Sequence, residues 1–381
     1  MIGRTALALI SIVILGPFVA ASQDPKPPSE STERARIIQA GWAFLVAGDP
    51  IRAAEQANLA LTGSPRSIAA ITLLVEADIV RAGAMTGLES YELWLGSQQT
   101  EDPYLVRHIA RAWLVEMGRS EEREPRLQAL KHLTKDGDAD GRRQLTQLSS
   151  EGGIAETRCL AETGDEGAVR RLLDSLSQST NKLEIIDALV ASGHALAIPP
   201  LRDLLSHSDP ATVAAAADGL AKLGAKELVG RIKPLLTSPA STRLVKIKAA
   251  EALYTLGDDA GLEFLEGMLK SPEPALRMVG ATGLASRPTP SWQGTVRELL
   301  QASHPVIRLE AAALIAQYEP DAARAALDRL VTDENPSVRV QAARVLAERV
   351  AGDFATLRKL MKGGDLLARV RAAGRILELI Q

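Results

Sequence analysis

Cysteine and aromatic residues are scarce in this chain of 381 residues. Cys159 is the single cysteine, so no intramolecular disulfide can form, and a buried, inert thiol is the prediction for it. Phe, Trp and Tyr together make up 3% of the sequence, although apolar residues as a class reach 46%. The core is therefore expected to consist mainly of Ala and Leu, as in proteins whose helices pack closely together.

An excess of charge of either sign is also absent. The chain has 44 Lys and Arg residues and 47 Asp and Glu residues, a formal net charge of −3 at pH 7. A nucleic-acid-binding surface normally requires a strong basic excess, so we predict no nucleic-acid partner. The five histidines show no metal-ligand spacing, and no familiar catalytic motif occurs. We therefore predict no catalytic residue, no cofactor and no metal, and expect that the protein is not an enzyme.

One acidic stretch has two interpretations. Asp136, Asp138 and Asp140 alternate and are followed by Gly141, a spacing similar to the start of a calcium-binding loop. Such a loop ends with a bidentate acid at its twelfth position, where this chain has Gln147. A capped turn between two helices is the other interpretation, and it is the one we favour.

The N-terminal residues differ in character from the rest of the chain. Arg4 precedes an apolar run over residues 6–15, and Ala21 ends a group of small residues suited to cleavage by a signal peptidase. We predict a signal peptide over residues 1–21 and a flexible linker, rich in Pro and Ser, over residues 22–32. The protein is then periplasmic or secreted, in a bacterium. If the signal is not cleaved, the same segment would anchor the protein in a membrane, and this alternative stays open.

A pattern that returns about every 31 residues dominates the C-terminal half. Each copy has a cation, a pair of small residues three and four positions later, and Leu or Ile seven positions later. The cations are Lys246, Arg277, Arg308, Arg339 and Arg369. The pairs are Ala249-Ala250, Gly280-Ala281, Ala311-Ala312, Ala342-Ala343 and Ala372-Ala373. A repeat of this length predicts stacked helix pairs, so the fold class is an all-α, elongated α-solenoid.

Proline marks the start of several of these helices. Pro210, Pro274, Pro305 and Pro336 each follow a polar residue, which predicts an N-cap and a first helical turn. The paired small residues would let two helix backbones approach closely, so that successive units stack without voids.

The segment 336–343 reads Pro-Ser-Val-Arg-Val-Gln-Ala-Ala and resembles the second helix of a HEAT repeat. The resemblance covers about 240 residues and implies a HEAT-repeat solenoid over residues 119–381, with right-handed superhelical curvature. In that family an Asp six residues before the Arg forms a ladder with it between repeats, and Asp333 before Arg339 is the match here. We interpret the five cations and Asp333 as structural rungs of such a ladder. A row of cations offered to an anionic ligand is the alternative.

Residues 33–118 have a different period. The segment resembles tetratricopeptide repeats, although Ile37 stands where that family has a Trp. The matching positions are Gly41, Phe44, Gly48-Asp49, Ala53, Ala60-Leu61 and Pro65.

Aromatic residues concentrate in this N-terminal segment. Ile38, Trp42 and Leu45 share one face of the predicted first helix, on the side that lines the groove in tetratricopeptide repeats. The candidate partner-binding residues are Ile38, Trp42, Leu45, Tyr91, Trp94, Tyr104 and Trp113. Trp and Tyr often dominate binding energy at interfaces. The alternative is that these side chains fill a less regular core.

These observations lead us to expect an exported, non-catalytic scaffold that binds a protein or peptide in the cell envelope. A long preformed surface suits such binding, because little ordering is needed when the partner docks. One alternative is a membrane-anchored assembly subunit that keeps residues 1–21. The other, less favoured, is a HEAT-like enzyme of the lyase type.

Overall fold

The computed structural model describes residues 30–96, 101–151, 153–179, 181–350 and 353–380. Within these ranges all regular secondary structure is helical, and twenty-two α-helices follow one another through short turns. The predicted all-α fold of stacked helix pairs is thereby confirmed.

The chain divides into two compact units, Met1–Trp113 and Leu114–Gln381. The predicted signal peptide lies outside the described residues, as do residues 22–29 of the predicted linker. The last part of that linker is helical instead, because the first helix begins at Glu30. The predicted change of repeat type at residues 118–119 lies five residues beyond the division between the units.

The described part of the first unit contains four helices and most of a fifth. These are α1 Glu30–Val46, α2 Pro50–Gly63, α3 Ile68–Ala82, α4 Ala84–Leu95 and α5 Pro103–Met117. Each of the first three packs on the next, and α1 also contacts α3. Gly41 makes the latter approach possible, since a Cβ at this position would lie 2.3 Å from Cδ2 of Leu73.

In the second unit, nine even-numbered helices alternate with eight odd-numbered ones. The even-numbered helices are α6 Arg123–Lys135, α8 Ile154–Ala161, α10 Lys182–Ala191, α12 Pro210–Lys222, α14 Arg243–Thr255, α16 Pro274–Leu284, α18 Pro305–Ile315, α20 Pro336–Val345 and α22 Leu366–Leu379. The odd-numbered helices are α7 Ala139–Glu151, α9 Glu166–Gln178, α11 Ile198–Leu204, α13 Val229–Thr237, α15 Leu262–Leu269, α17 Pro290–Leu299, α19 Pro320–Leu330 and α21 Phe354–Met361. Short 3₁₀ turns precede α11, α13 and α15, and a π-helical turn, Leu346–Val350, follows α20.

The even-numbered helices form a closed ring. Each packs against the next, and the last, α22, packs against the first, α6. A Cβ at Gly374 of α22 would lie 2.4 Å from Nδ1 of His132 in α6, so the two helices meet at a point where only glycine fits. The expected elongated stack therefore does not hold for this unit. The ring closes because the small rotation between successive repeats accumulates until the two ends of the stack meet.

Helix starts and close helix packing follow the sequence pattern. α12, α16, α18 and α20 begin at the four predicted prolines. Asn335 caps α20, as predicted, by accepting a hydrogen bond from the backbone N–H of Ser337 at 2.9 Å. At Gly280 of a small pair, a Cβ would lie 2.8 Å from the backbone O of Leu265. The small residues thus allow α15 and α16 to approach closely.

Two large apolar clusters contribute to the core in the described part of the second unit. One extends from α6 to α14 and the other from α14 to α20, and buried Ala and Leu make up most of both. Trp292 is the largest fully buried side chain, and its indole N–H donates to the backbone O of Ala281 at 2.6 Å. A core of small and medium side chains in the described part of the unit agrees with the low aromatic content.

Candidate functional site

The predicted binding face of α1 lies against the core. Ile38, Trp42 and Leu45 are half-buried and pack on a cluster that includes Ala53 and Leu73. Their apolar surface is therefore partly used to hold α1 on α2 and α3. This placement follows the alternative in which the aromatic residues fill the core of the segment.

Tyr91 and Trp113 are core residues. Tyr91 is fully buried, and its hydroxyl accepts a hydrogen bond from the backbone N–H of Asp102 at 2.9 Å. Trp113 is 6% exposed. A buried side chain cannot meet a partner without unfolding its surroundings, so these two residues are removed from the candidate surface.

Trp94 and Tyr104 are the accessible members of the predicted set. Trp94 is half-buried, and its ring centroid lies 5.9 Å from that of Tyr91. Its indole N–H donates a hydrogen bond to the backbone O of Pro65 at 2.8 Å. Tyr104 is 77% exposed on α5. The seven predicted residues therefore do not form one continuous surface.

A cleft of about 660 Å³ lies between α2, α3 and α4 in the first unit. Ile51, Leu74, Leu93 and Trp94 give it apolar walls. Leu93 is 82% exposed and Ile51 is 61% exposed, so two large aliphatic side chains face solvent at the same cleft. Exposed apolar surface of this kind, within a concave site, is typical of a place where another molecule binds.

A buried carboxylate organises the polar side of this cleft. Asp78 is 3% exposed and accepts hydrogen bonds from Arg81 Nη2 at 2.6 Å and from Ser90 Oγ at 2.6 Å. The Arg81 side chain is 48% exposed, so one edge of its guanidinium is held by Asp78 while the rest faces the cleft. A guanidinium fixed in this way suits the carboxylate or backbone carbonyl of a bound peptide.

Sequence reasoning missed Ile51, Asp78, Arg81 and Leu93. The signal that could have identified Asp78 is its position in a mainly apolar helix, where a buried carboxylate needs a partner. Arg81, three residues later on the same face, is that partner. Leu93 and Ile51 carry no such signal, because a single leucine or isoleucine on a helix gives no indication of exposure.

Three of the five predicted ladder cations, Arg308, Arg339 and Arg369, contact backbone carbonyls at the end of the preceding helix or in the turn that follows it. Arg308 Nη1 donates to the backbone O atoms of Ala302 and Ser303 at 2.8 and 2.9 Å. Arg339 Nη1 contacts the carbonyls of Asp333 and Glu334, and Arg369 Nε contacts that of Met361. Lys182 Nζ, outside the predicted five, contacts that of Leu176. Carbonyls in the last turn of a helix and in the turn beyond it have no partner within the helix, and a cation placed there satisfies them.

Asp333 connects two of these cations. Its backbone O accepts from Arg339 at 2.7 Å, and its carboxylate lies 3.5 Å from Arg308 of the preceding repeat. Arg277 instead reaches Glu298 of the next helix at 3.5 Å. Lys246 borders a shallow pocket beside Phe264 and Met268. The contacts of the ladder are thus mainly to backbone carbonyls, and this explains why repeats without the family's Asp can still place a cation there.

A second cavity, of about 460 Å³, lies where the ring of the second unit closes, and we call it the closure cavity. Its walls are residues of α6, α8 and α22, together with Glu348. The cations are Lys131, Lys135, Arg158, Arg371 and Arg375. The carboxylates are Glu124, Glu162, Glu348 and Glu378. Both ends of the helical ring therefore contribute charged side chains to the same cavity.

Burial shifts the pKa values of groups at this cavity. Burial lowers the pKa of His132 to about 3, and the nearby Lys131 and Lys135 act in the same direction, so the imidazole is neutral at physiological pH. Burial raises the pKa of Cys159 to about 12, which keeps the thiol protonated. For Glu162 burial opposes ionisation, but Lys131 at 2.8 Å and Arg158 at 2.9 Å outweigh it, and the pKa is lowered.

Comparison with known proteins identifies the repeat type. The sequence pattern of HEAT repeats matches residues 198–285, which comprise α11 to α16 with the 3₁₀ turns between them. The chain contains a HEAT-repeat helical solenoid. The match lies inside the closed ring, so the HEAT repeats are part of the second unit.

Other comparisons add little to the description of the HEAT-repeat solenoid. No curated protein matches the chain significantly. A solved structure of human deoxyhypusine hydroxylase, in complex with glycerol, matches 74% of this chain and 99% of its own, with 18% identity and a TM-score of 0.30. Among the described residues, no helix is long and apolar enough to cross a membrane.

The acidic stretch of the HEAT-repeat solenoid is the turn between α6 and α7. Asp138 Oδ1 accepts from the backbone N–H of Gly141 at 2.6 Å at the start of α7, and Asp140 pairs with Arg143. The carboxylates of Asp138 and Asp140 are thus directed to protein donors. Across the described parts of the chain, no group of three or more His, Cys, Asp or Glu residues could hold a metal ion.

Proposed function

We propose that this protein is an exported, non-catalytic scaffold that binds a peptide segment of a partner protein in the cell envelope. The observation that carries the proposal is the cleft of the first unit, where Ile51 and Leu93 are exposed beside Arg81. The HEAT repeats of the second unit also favour a scaffold, because stacked helix pairs offer an extended preformed surface.

The chemistry of the cleft defines the peptide. Its apolar walls favour one or two large aliphatic or aromatic side chains, which would cover Leu93 and Ile51 on binding. Arg81, held by Asp78, favours a carboxylate close to these side chains. The proposed ligand is therefore an apolar segment with an adjacent Asp, Glu or C-terminal carboxylate.

The non-catalytic part of the proposal rests on the groups available for chemistry. Cys159 is 4% exposed, and its raised pKa leaves almost no thiolate at neutral pH, which makes it an unsuitable nucleophile. His132 is neutral and packed against Gly374.

A selection from peptides displayed on phage, with the full-length chain as bait, tests the binding site. We expect enrichment of peptides with an apolar residue next to a carboxylate. Leu93→Asp removes an apolar contact with the peptide, and Arg81→Ala removes a charge-assisted hydrogen bond to it. Each substitution should therefore raise the Kd of the selected peptides by about tenfold or more.

Leu59→Asp is the matched control, because Leu59 is 55% exposed on α2 and does not line the cleft. If Leu59→Asp and Leu93→Asp reduce peptide affinity equally, the cleft is not the binding site. A selection that yields no enriched peptide would contradict the proposed function itself.

Export is tested by N-terminal sequencing of the protein recovered from separate cell fractions. A mature N-terminus after Ala21 in the soluble envelope fraction is the expected result. Recovery of the uncleaved chain in the membrane fraction would support the anchored assembly subunit instead, and recovery in the cytoplasm would contradict export.

A further inference from the structure

The closure cavity has the size and position of a small-molecule site that is independent of the cleft in the first unit. Its volume of about 460 Å³ falls within the range of about 300–1,000 Å³ that is usual for ligand pockets. Charged side chains from three helices converge on it: Lys131 from α6, Arg158 from α8 and Arg371 from α22. Convergence of this kind takes charges partly out of water, which is costly unless a partner compensates.

The carboxylates at the cavity are already engaged by the protein. Glu162 accepts from Lys131 and Arg158, and Glu348 accepts from Arg371 at 2.9 Å. Glu378 accepts from Arg375 at 3.0 Å. The fourth carboxylate, Glu124, accepts from the amide of Gln128 at 2.9 Å.

Donors at the cavity exceed these acceptors. Arg371 is engaged through Nε and Arg375 through Nη1, so each guanidinium retains further N–H groups. Lys135 has no acceptor within the described ranges of the chain. Arg158 also pairs with Asp187, so the five cations face five carboxylates. The donors that remain for an additional negative group are the further N–H groups of Arg371 and Arg375 and the ammonium group of Lys135.

We propose that the closure cavity binds a small organic or inorganic polyanion, with phosphate or carboxylate groups, between the guanidinium groups of α22 and the ammonium groups of α6. Arg suits such groups because its planar fork pairs with two oxygens at once. The two sides of the site come from opposite ends of the ring, so a bound anion bridges the first and last helices. Binding is then linked to closure of the ring.

Calorimetric titration of the full-length chain with pyrophosphate and with citrate tests the site. We expect at least one of them to bind, to raise Tm, and to slow the reaction of Cys159 with a thiol reagent. Cys159 is the single cysteine of the chain, lines the cavity and is buried, so it reacts only when the ring opens, and a bound anion that bridges α6 and α22 should slow that reaction. Arg371→Gln and Arg375→Gln should each weaken binding by about tenfold or more.

Arg170→Gln is the matched control, because Arg170 pairs with Glu166 on α9, outside the cavity, and its loss should leave the affinity unchanged. Arg375 contacts a residue one turn away on its own helix, so its substitution tests the site even if Arg371→Gln unfolds the protein. Absence of binding by both anions, or equal affinity in all three variants, would overturn the proposal. Binding of spermidine in place of the anions would also overturn it, since the site would then select cations.

Discussion

Gly374 is predicted to decide whether the ring of the second unit closes. Replacement by alanine places a Cβ 2.4 Å from Nδ1 and 2.5 Å from Cγ of His132, whereas nonbonded heavy atoms prefer about 3.5–4.0 Å. Either α22 or the imidazole must move by more than about 1 Å. Overpacking of this kind costs up to about 3 kcal/mol, and the better helix propensity of alanine offsets about 1 kcal/mol. We expect Gly374→Ala to lower the free energy of unfolding by about 2 kcal/mol.

Gly294→Ala on α17 is the control for the helix-propensity term. No atom lies within 4 Å of a Cβ at Gly294, so this substitution should stabilise the protein by about 0.5–1 kcal/mol. The two glycine-to-alanine changes are thus expected to act with opposite sign. Their difference isolates the contact between α22 and α6.

Urea unfolding measures the free energies, and hydrogen exchange of α6 and α22 shows where protection is lost. Cys159 should react faster with a thiol reagent in Gly374→Ala than in the wild-type chain, because an opened ring exposes the closure cavity. His132→Ala in the Gly374→Ala background should restore part of the lost stability by removing the clash. If Gly374→Ala stabilises the protein as much as Gly294→Ala, the two helices do not meet as described.

Two further predictions concern the ladder and the buried imidazole. Arg308→Ala removes two hydrogen bonds to the carbonyls of Ala302 and Ser303. This variant should have a free energy of unfolding lower by about 1–3 kcal/mol and an unchanged peptide affinity. A fully stable variant that captures less peptide would contradict the structural role of Arg308. The pKa of His132 is lowered to about 3, so its unfolded form binds the proton first and stability is lost as pH falls from about 6.5 towards 3. The free energy of unfolding should change by at most about 1.4 kcal/mol per pH unit through this group. The urea midpoint of His132→Asn should therefore depend less on pH than that of the wild-type chain. The same pH dependence in both proteins would show that the imidazole is not buried in its neutral form.

Helix starts and close helix packing could be predicted from the sequence, because each depends only on residues within one repeat or in adjacent helices. Proline after a polar residue marks the start of α12, α16, α18 and α20, because proline suits the first turn and needs no hydrogen-bond acceptor there. Small residues at Gly280-Ala281 and the equivalent pairs predict close packing, since the distance between backbones depends on side-chain size alone. These are local rules, and each can be applied within one repeat.

Closure of the ring and the position of the cleft could not be predicted in this way. Closure depends on a rotation between repeats that is too small to leave a signal in any one of them. Of the predicted aromatic residues Trp94 lines the cleft, whereas Tyr91 and Trp113 are buried, because their large apolar surface packs in the core. Leu93 and Arg81 form one site because α3 and α4 pack side by side, and this packing cannot be read from either helix alone.

The contact between Gly374 and His132 joins residues about 240 positions apart in the sequence. A chain that leaves the ribosome from its N-terminus can stack its repeats one after another, but it cannot seal the ring until α22 has been made. Until then, the face of α6 that receives α22, including His132, stays uncovered and needs protection from other chains. The last step in the assembly of this unit is therefore a long-range event, in a protein whose other helices find their partners among close neighbours.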